Sequence, residues 1–510
     1  MRRLLAVALL CCAPVLAQNN ALRGQWKARL EFAKDGDTTE MVFQFLAAAD
    51  GGIEGTFRIP QLGIEDVPVT AISLEGSQVR MQLRSLQTEF QGTLGADGSE
   101  ITGKLTRGGQ NIPMRLALVK RAVESRAETK AAPKEVVDWF RRGAVPLLTA
   151  EPSHGFDDMR PVREIVGKAR IVALGEATHG TREFFQLKHR LLEFLVTEMG
   201  FTVFALEANW PESLALNDYV LTGKGDPVEL LAGLHFWTCN SQEVLDMVRW
   251  MRRYNADAAH TNKVKFFGFD MQFTEVAASN VAAFLRRVDP DAAGRTGLKP
   301  AEVVANLDRN HERYAAITSD GEWRVARQNA VVVRQAAEMA GSAARDRFMA
   351  DNVKWILDQE PAGTKIVLWA HNGHVHTGPN AGEPVPMGSH LRRMYGDELV
   401  TLGFAFNRGS FRASVVGGRR LDDFTMRPAA PDSLDGVLAS TGLPLFLVDL
   451  RKAPRSGPVA AWLAQDQRSR QVGSIYSDDW ERTYRRLHVT QSFDLLLFVE
   501  RTSAARPVVR

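Results

Sequence analysis

Residues Gly175-Glu176-Ala177-Thr178-His179-Gly180 place a carboxylate and an imidazole three positions apart. The apolar run Ile171-Val172-Ala173-Leu174 precedes them directly, and a long helical pattern follows. An acid and a base therefore stand where a buried strand turns into a helix. In parallel α/β sheets that junction is where ligands bind. The helix N-terminus there also offers unpaired N–H groups to an anion or a developing oxyanion.

The arrangement recurs along the chain. Thr202-Val203-Phe204-Ala205-Leu206 runs into Glu207, and Val264-Lys265-Phe266-Phe267-Gly268-Phe269 into Asp270. Lys365-Ile366-Val367-Leu368-Trp369-Ala370 runs into His371, with His374 three residues on. One ionisable residue at a strand end means little. Four successive strands ending this way predict one shared crevice, because the C-terminal ends of parallel strands lie on one edge. In the helix after His179, Phe184, Leu187, Leu191 and Leu195 follow the spacing of an apolar face, with Arg182, Gln186, His189, Arg190 and Glu193 on the opposite side. Lys188, one turn after Phe184, falls within the apolar face. A buried ammonium without a partner is costly, so Glu176 or Glu207 is its expected partner. The alternative is a stem that passes the rim to water.

Plainer roles compete for each residue. Glu176 could simply charge a helix N-terminus favourably, and Glu207 could cap the next helix. For Asp270, capping of a helix beginning near Met271 is the better reading. A lone His371 would read as a hydrogen-bonded core histidine, but the pair flanking Gly373 points to a site, and His376 lies close enough to shape its mouth. Cys239 has no adjacent base in sequence and reads as structural.

Two mechanisms fit the set. In one, His179 takes a proton from water, Glu176 or Glu207 orients it, and Lys188, His371 or His374 stabilises the oxyanion of an ester or lactone. In the other, His179, His371, His374 and a Glu hold a divalent metal, with ligand types that suit zinc. Lys188 argues against the metal, since an ammonium beside a dication is repulsive unless carboxylates intervene. No Gly-x-Ser-x-Gly elbow, phosphate loop or dinucleotide fingerprint is present.

These residues need a scaffold. From about 135 onwards, apolar runs alternate with helical stretches, and the first two runs are spaced by ~30 residues, the length of a βαβ unit. Leu399 to Phe406, Leu445 to Leu450 and Phe493 to Val499 continue the series. Continuous apolar runs predict strands buried on both faces, hence an α/β fold with a mostly parallel sheet flanked by helices. Residues of about 275–360, rich in Ala, Arg and Val, read as a helical insertion in a domain spanning 135–505. Residues 20–121 alternate in short runs separated by turns such as Asp50-Gly51-Gly52, which predicts a small all-β sandwich or barrel with an accessory role. Residues 122–134 have linker composition.

The chain has 510 residues, 45% hydrophobic and 24% charged, with a formal charge of +3. Arg2 and Arg3 supply two of those charges, so no nucleic-acid partner is suggested. Residues 1–17 read as a secretory signal, with Val15-Leu16-Ala17 before the cleavage point, which predicts a periplasmic or secreted protein. No later segment reaches the ~18 uninterrupted apolar residues of a membrane span. Removal of the signal leaves Cys239 as the one cysteine, so no internal disulfide is expected. The oligomeric state is not legible.

The stretch from Gly175 to Phe185, Phe204-Ala205-Leu206-Glu207, Gly268-Phe269-Asp270-Met271-Gln272 and Trp369-Ala370-His371-Asn372-Gly373-His374 together resemble the erythromycin esterase family. Met387-Gly388, Asp449-Leu450-Arg451 and Phe493-Asp494 add to the likeness, which spans roughly 135–500 with its motifs in order. The resemblance implies a hydrolase without metal or other cofactor that opens a macrolide lactone with activated water. It implies His179 as general base and Glu176 and Glu207 as supporting carboxylates. Lys188 stands where family members have Arg, and His371 and His374 line the cleft; His374 and Asp270 are assigned to substrate binding. The signal and the β-domain depart from the pattern of a cytoplasmic resistance enzyme. An exported hydrolase of small-molecule esters or lactones is the main expectation, against a zinc hydrolase or a secreted binding protein without turnover.

Overall fold

A computed structural model of the chain describes residues 21–31, 38–47, 53–59, 64–69, 71–83, 88–107, 110–121, 133–295, 297–339, 341–378, 385–415, 420–476 and 480–508. The expected signal at 1–17 lies outside them, as do residues 122–132 of the expected linker. The chain forms two compact units, residues 1–128 with 414–420 and residues 129–413 with 421–510. In the first, the described residues form one sheet of nine strands. Gly24–Glu31 pairs antiparallel with both Thr38–Ala47 and Gln110–Arg121. The alternating pattern buries Trp26, Phe43, Phe45, Phe57 and Phe90 in one core.

The second unit is built on a sheet whose main strands are β1 (Ala144–Pro146), β2 (Ile171–Leu174), β3 (Val203–Asn209), β4 (Lys265–Asp270), β5 (Ile366–Trp369), β6 (Leu399–Val415), β7 (Leu445–Asp449) and β8 (Leu495–Thr502). Their spatial order is β1-β7-β8-β6-β2-β5-β3-β4. The sheet is mixed, not the mostly parallel one expected. From β8 to β4 the pairings are parallel. At the other edge β7 runs antiparallel to both of its neighbours. The apolar run Leu445–Leu450 is buried like the others, and burial on two faces does not report direction.

Successive residues of the central strands alternate between two cores. Val172, Leu174, Phe204, Leu206, Val367 and Trp369 pack on one face. Ile171, Ala173, Val203, Ala205, Ile366 and Leu368 pack on the other. Helix α1 (Arg182–Met199) follows β2 and ends at Gly200, whose φ of 72° is the left-handed cap that favours glycine. Its supposed polar side is covered too. Arg190 is buried and donates to Asp158 and to the Thr149 and Gly155 carbonyls, while Glu193 accepts from Ser153. Between β4 and β5 the chain is helical, from Glu275–Val288 to Asp320–Glu338 and then α2 (Ser342–Asp358). Phe284, Leu285, Leu307 and Tyr314 give the first part its own small core.

Candidate active site

Register brings the strand tips together. Leu174 and Leu206 both pair with Trp369, and Leu206 with Gly268. Glu176 therefore stands two residues beyond its paired position, Glu207 one, and His371 two, while Asp270 ends the neighbouring strand. All four ride on adjacent strands, β2, β5, β3 and β4. The turn after β2 is tight: a Cβ at Gly180 would run into the Arg412 carbonyl.

Glu176 is 2% exposed and accepts from three sides. His179 Nδ1 lies 2.8 Å from its Oε1, and Lys188 Nζ and Trp369 Nε1 lie 2.7 and 3.0 Å from its Oε2. Lys188 is fully buried, also reaches the Ala370 carbonyl at 3.4 Å, and sits 4.3 Å above the Trp369 ring. Burial pushes its ammonium down to about 8 against the raising effect of Glu176. Of its two candidate partners Glu176 is the one it bonds, from beneath, so its ammonium does not open on the cleft. The His179 side chain is 13% exposed, and its Nε2 makes no hydrogen bond among the described residues.

Glu207 sits in a second group. Its Oε2 accepts the His371 N–H at 2.9 Å. Its Oε1 lies 2.9 Å from Arg345 Nη2 and 3.2 Å from His374 Nε2. Burial opposes its charge, but His374, Arg345 and His179 hold its carboxyl well below the usual range. Asp270 is fully buried and takes Arg345 at 2.6 and 3.2 Å. It is not a helix cap: the next helix starts at Glu275 with Thr274 at its cap. Glu207 caps no helix either, since Asn209 holds that place. His374 places Nδ1 2.8 Å from Asp346, which also accepts the Met387 N–H. Burial alone would neutralise His374, yet Glu207 and Asp346 push it up to about 10. His374 thus has a carboxylate near each ring nitrogen, with Arg345 Nη1 also 3.1 Å from its Nε2.

The His371 ring lies 4.7 Å from that of His179. Burial and the neighbouring His179 push it well below the ordinary histidine range. Its Nδ1 accepts the Gly373 N–H at 3.1 Å, and its Nε2 donates to the Val472 carbonyl at 3.1 Å, a tautomer assigned from these partners. Neither nitrogen is left for a substrate or an ion. Cys239 is buried, its thiol pushed up to about 12 by burial.

Two cavities flank the histidine pair. One of about 200 Å³ is lined by His179, Gly180, Phe185, Trp237, Asn240 and Val508 among others. The other, of about 300 Å³, is lined by Asp346, His371, His374, His376, Arg485 and Phe493 among others. Arg345, Asp346, Trp369 and Val472 were not singled out from sequence. Arg345 and Asp346 lie in an Ala- and Arg-rich helix whose pattern resembles its neighbours. The one signal that could have found them was an excess of strand-tip carboxylates over nearby cations.

Fold and site together define an α/β protein with a buried acid–base cluster on the C-terminal edge of parallel strands. A family profile described as erythromycin esterase matches residues 196–299 and 297–502. The chain belongs to the erythromycin esterase family, and is thereby of hydrolase class. The profile begins after Glu176, His179 and Lys188, so those three rest on the geometry above. An erythromycin esterase type II of Escherichia coli is 25% identical over 378 residues, 62% of this chain and 89% of that protein. A crystal structure of a Bacillus cereus protein is 28% identical with a TM-score of 0.65, covering 74% of this chain and 99% of that one. An erythromycin esterase mutant in its open conformation shares the fold at a TM-score of 0.56 and 16% identity, over 72% of this chain and 98% of that one.

Proposed function

We propose that the protein hydrolyses carboxylic esters or lactones with a water activated by His179. The observation that carries this reading is the asymmetry of the His179 ring. Nδ1 is held on Glu176 at 2.8 Å, while Nε2 has no hydrogen-bond partner among the described residues and the ring lines a cavity. A carboxylate on Nδ1 sets the tautomer with the Nε2 lone pair outward and stabilises the imidazolium that forms. Water attacks the carbonyl carbon and gives its proton to Nε2. Collapse of the tetrahedral intermediate breaks the C–O bond, and the departing alkoxide takes that proton back, leaving an acid and an alcohol or, from a lactone, one hydroxy acid. The base contributes ~10²–10⁴-fold. Thr238 and Asn240 line the same cavity, and their side chains make no hydrogen bond among the described residues, which suits them to the oxyanion. Lys188 acts through Glu176 as a positioning residue.

The donor set supports a metal-free reaction. Both nitrogens of His371 and both of His374 are engaged, and among the described residues no group of three His, Cys, Asp or Glu side chains is arranged to hold a metal ion. Export is proposed on the pattern of residues 2–17; sequencing the N-terminus of protein recovered from outside the cytoplasm, with Gln18 first, would test it. For the reaction, His179→Ala should lower kcat/KM on ester substrates by ~10²-fold or more with an unchanged circular dichroism spectrum. Full activity in that variant sinks the reading. Stoichiometric zinc with chelator-sensitive activity would overturn its metal-free part.

A further inference from the structure

We infer that the site selects open-chain esters with a short apolar acyl group, and that Trp237 and Val508 set the length limit. The inference rests on the proposed role of His179. A carbonyl attacked by water held on His179 Nε2 lies one water away from that ring, so one of its two substituents must occupy the cavity the ring lines. That cavity measures about 200 Å³, and Phe185, Val228, Trp237, Ala505 and Val508 make its wall mostly apolar. Pockets for drug-sized ligands run to roughly 300–1,000 Å³. At ~30 Å³ per water-sized group, this one holds a chain of about six carbons. In an open-chain ester only the acyl half has to fit, and the alkoxy half can point outward. In a lactone the two halves are tethered, so the acyl side of a macrolide ring cannot enter the cavity independently of the rest.

The wall is not a loose surface. The chain beyond β8 is stitched across the site: Ser503 N–H and Oγ donate to Glu183, the Ala505 N–H to the Gly180 carbonyl, and the Gln242 N–H to the Arg506 carbonyl. Glu243 takes the Arg506 side chain at 2.7 Å. Phe185 is 1% exposed, locked in the core behind. The backbone of that wall is thus pinned by hydrogen bonds, and the cavity volume acts as a selectivity filter. The larger cavity does not take this role, because His371 and His374 present no free nitrogen to it.

The test is a series of p-nitrophenyl esters from acetyl to decanoyl, with a 14-membered macrolactone as the bulky member. For the wild type, kcat/KM should rise ~4-fold per methylene, the effect of burying each in apolar surroundings, peak near six carbons, and fall at least 10-fold by the decanoyl ester. The macrolactone should be turned over at least 10-fold more slowly than the best ester. Val508→Trp should move the optimum to shorter chains, and Trp237→Ala to longer ones. An optimum that ignores both substitutions, or macrolactone hydrolysis matching the best ester, overturns the selectivity inference and leaves the proposed function standing. No hydrolysis anywhere in the series, with His179→Ala indistinguishable from wild type, overturns the function itself.

Discussion

Lys188→Met removes a charge without opening a path to water, and the structure says what should follow. The ammonium and the His179 ring contact opposite oxygens of one carboxylate, at 2.7 and 2.8 Å. That places the ammonium roughly 6 Å from the ring. At an effective dielectric of ~20, two unit charges at that distance repel by about 3 kcal/mol, roughly two pH units. In the wild type this repulsion acts against any positive charge arriving on the ring. Without Lys188, the remaining hydrogen-bonded group that can bring a positive charge to Glu176 is the His179 ring. The acid limb of the kcat/KM profile should therefore move up by about two units relative to the wild type. Lys188→Arg keeps the charge and should leave the limb where it is. Stopped-flow or steady-state ester hydrolysis across pH 5–10 on all three proteins measures this. A Lys188→Met enzyme with an unshifted limb and uniformly lower activity would refute the electrostatic role and leave a packing one.

The other group yields two predictions. Arg345→Met strips a partner from Glu207 and Asp270 together, and breaking a buried ion pair costs ~3–5 kcal/mol; urea denaturation should show that loss, and Arg345→Lys should recover only part of it because the fork is gone. His374 is raised from 6.5 to about 10, so its contribution to stability is complete below pH 6.5 and is lost as pH rises towards 10. His374→Gln should flatten the pH dependence of Tm over that window, and a wild-type Tm already flat there would count against a cationic His374.

The clustering of these strand-tip residues was open to reading because its signals are local. Glu176, His179 and Glu207 each follow an apolar strand directly, and Lys188 interrupts an apolar helical face, so its burial and its need for a carboxylate could be stated in advance. The fixed-charge half was closed for the opposite reason. Arg345 and Asp346 sit 138 and 28 positions from the side chains they hold, Glu207 and His374, on a helix whose composition marks nothing. The mixed sheet was missed because an antiparallel strand beneath helices is as apolar as a parallel one. The covered back of α1 was missed because His189, Arg190 and Glu193 read as a solvent face, although their partners come from the chain at 149–158 and from Trp250.

The two groups explain why one histidine of three is suited to chemistry. Glu207, Asp270 and Asp346 are each saturated by Arg345, His374 or backbone N–H groups, so any proton moved there would leave a buried charge unmatched. His371 is held neutral between two backbone partners and acts as a wall against His179. Glu176 differs, because its charge is balanced by Lys188 whether His179 is neutral or not. A proton arriving at Nε2 then strengthens the Nδ1 contact instead of breaking one. Of His179, His371 and His374, His179 alone keeps a ring nitrogen without a hydrogen-bond partner among the described residues, and its ring lines the cavity.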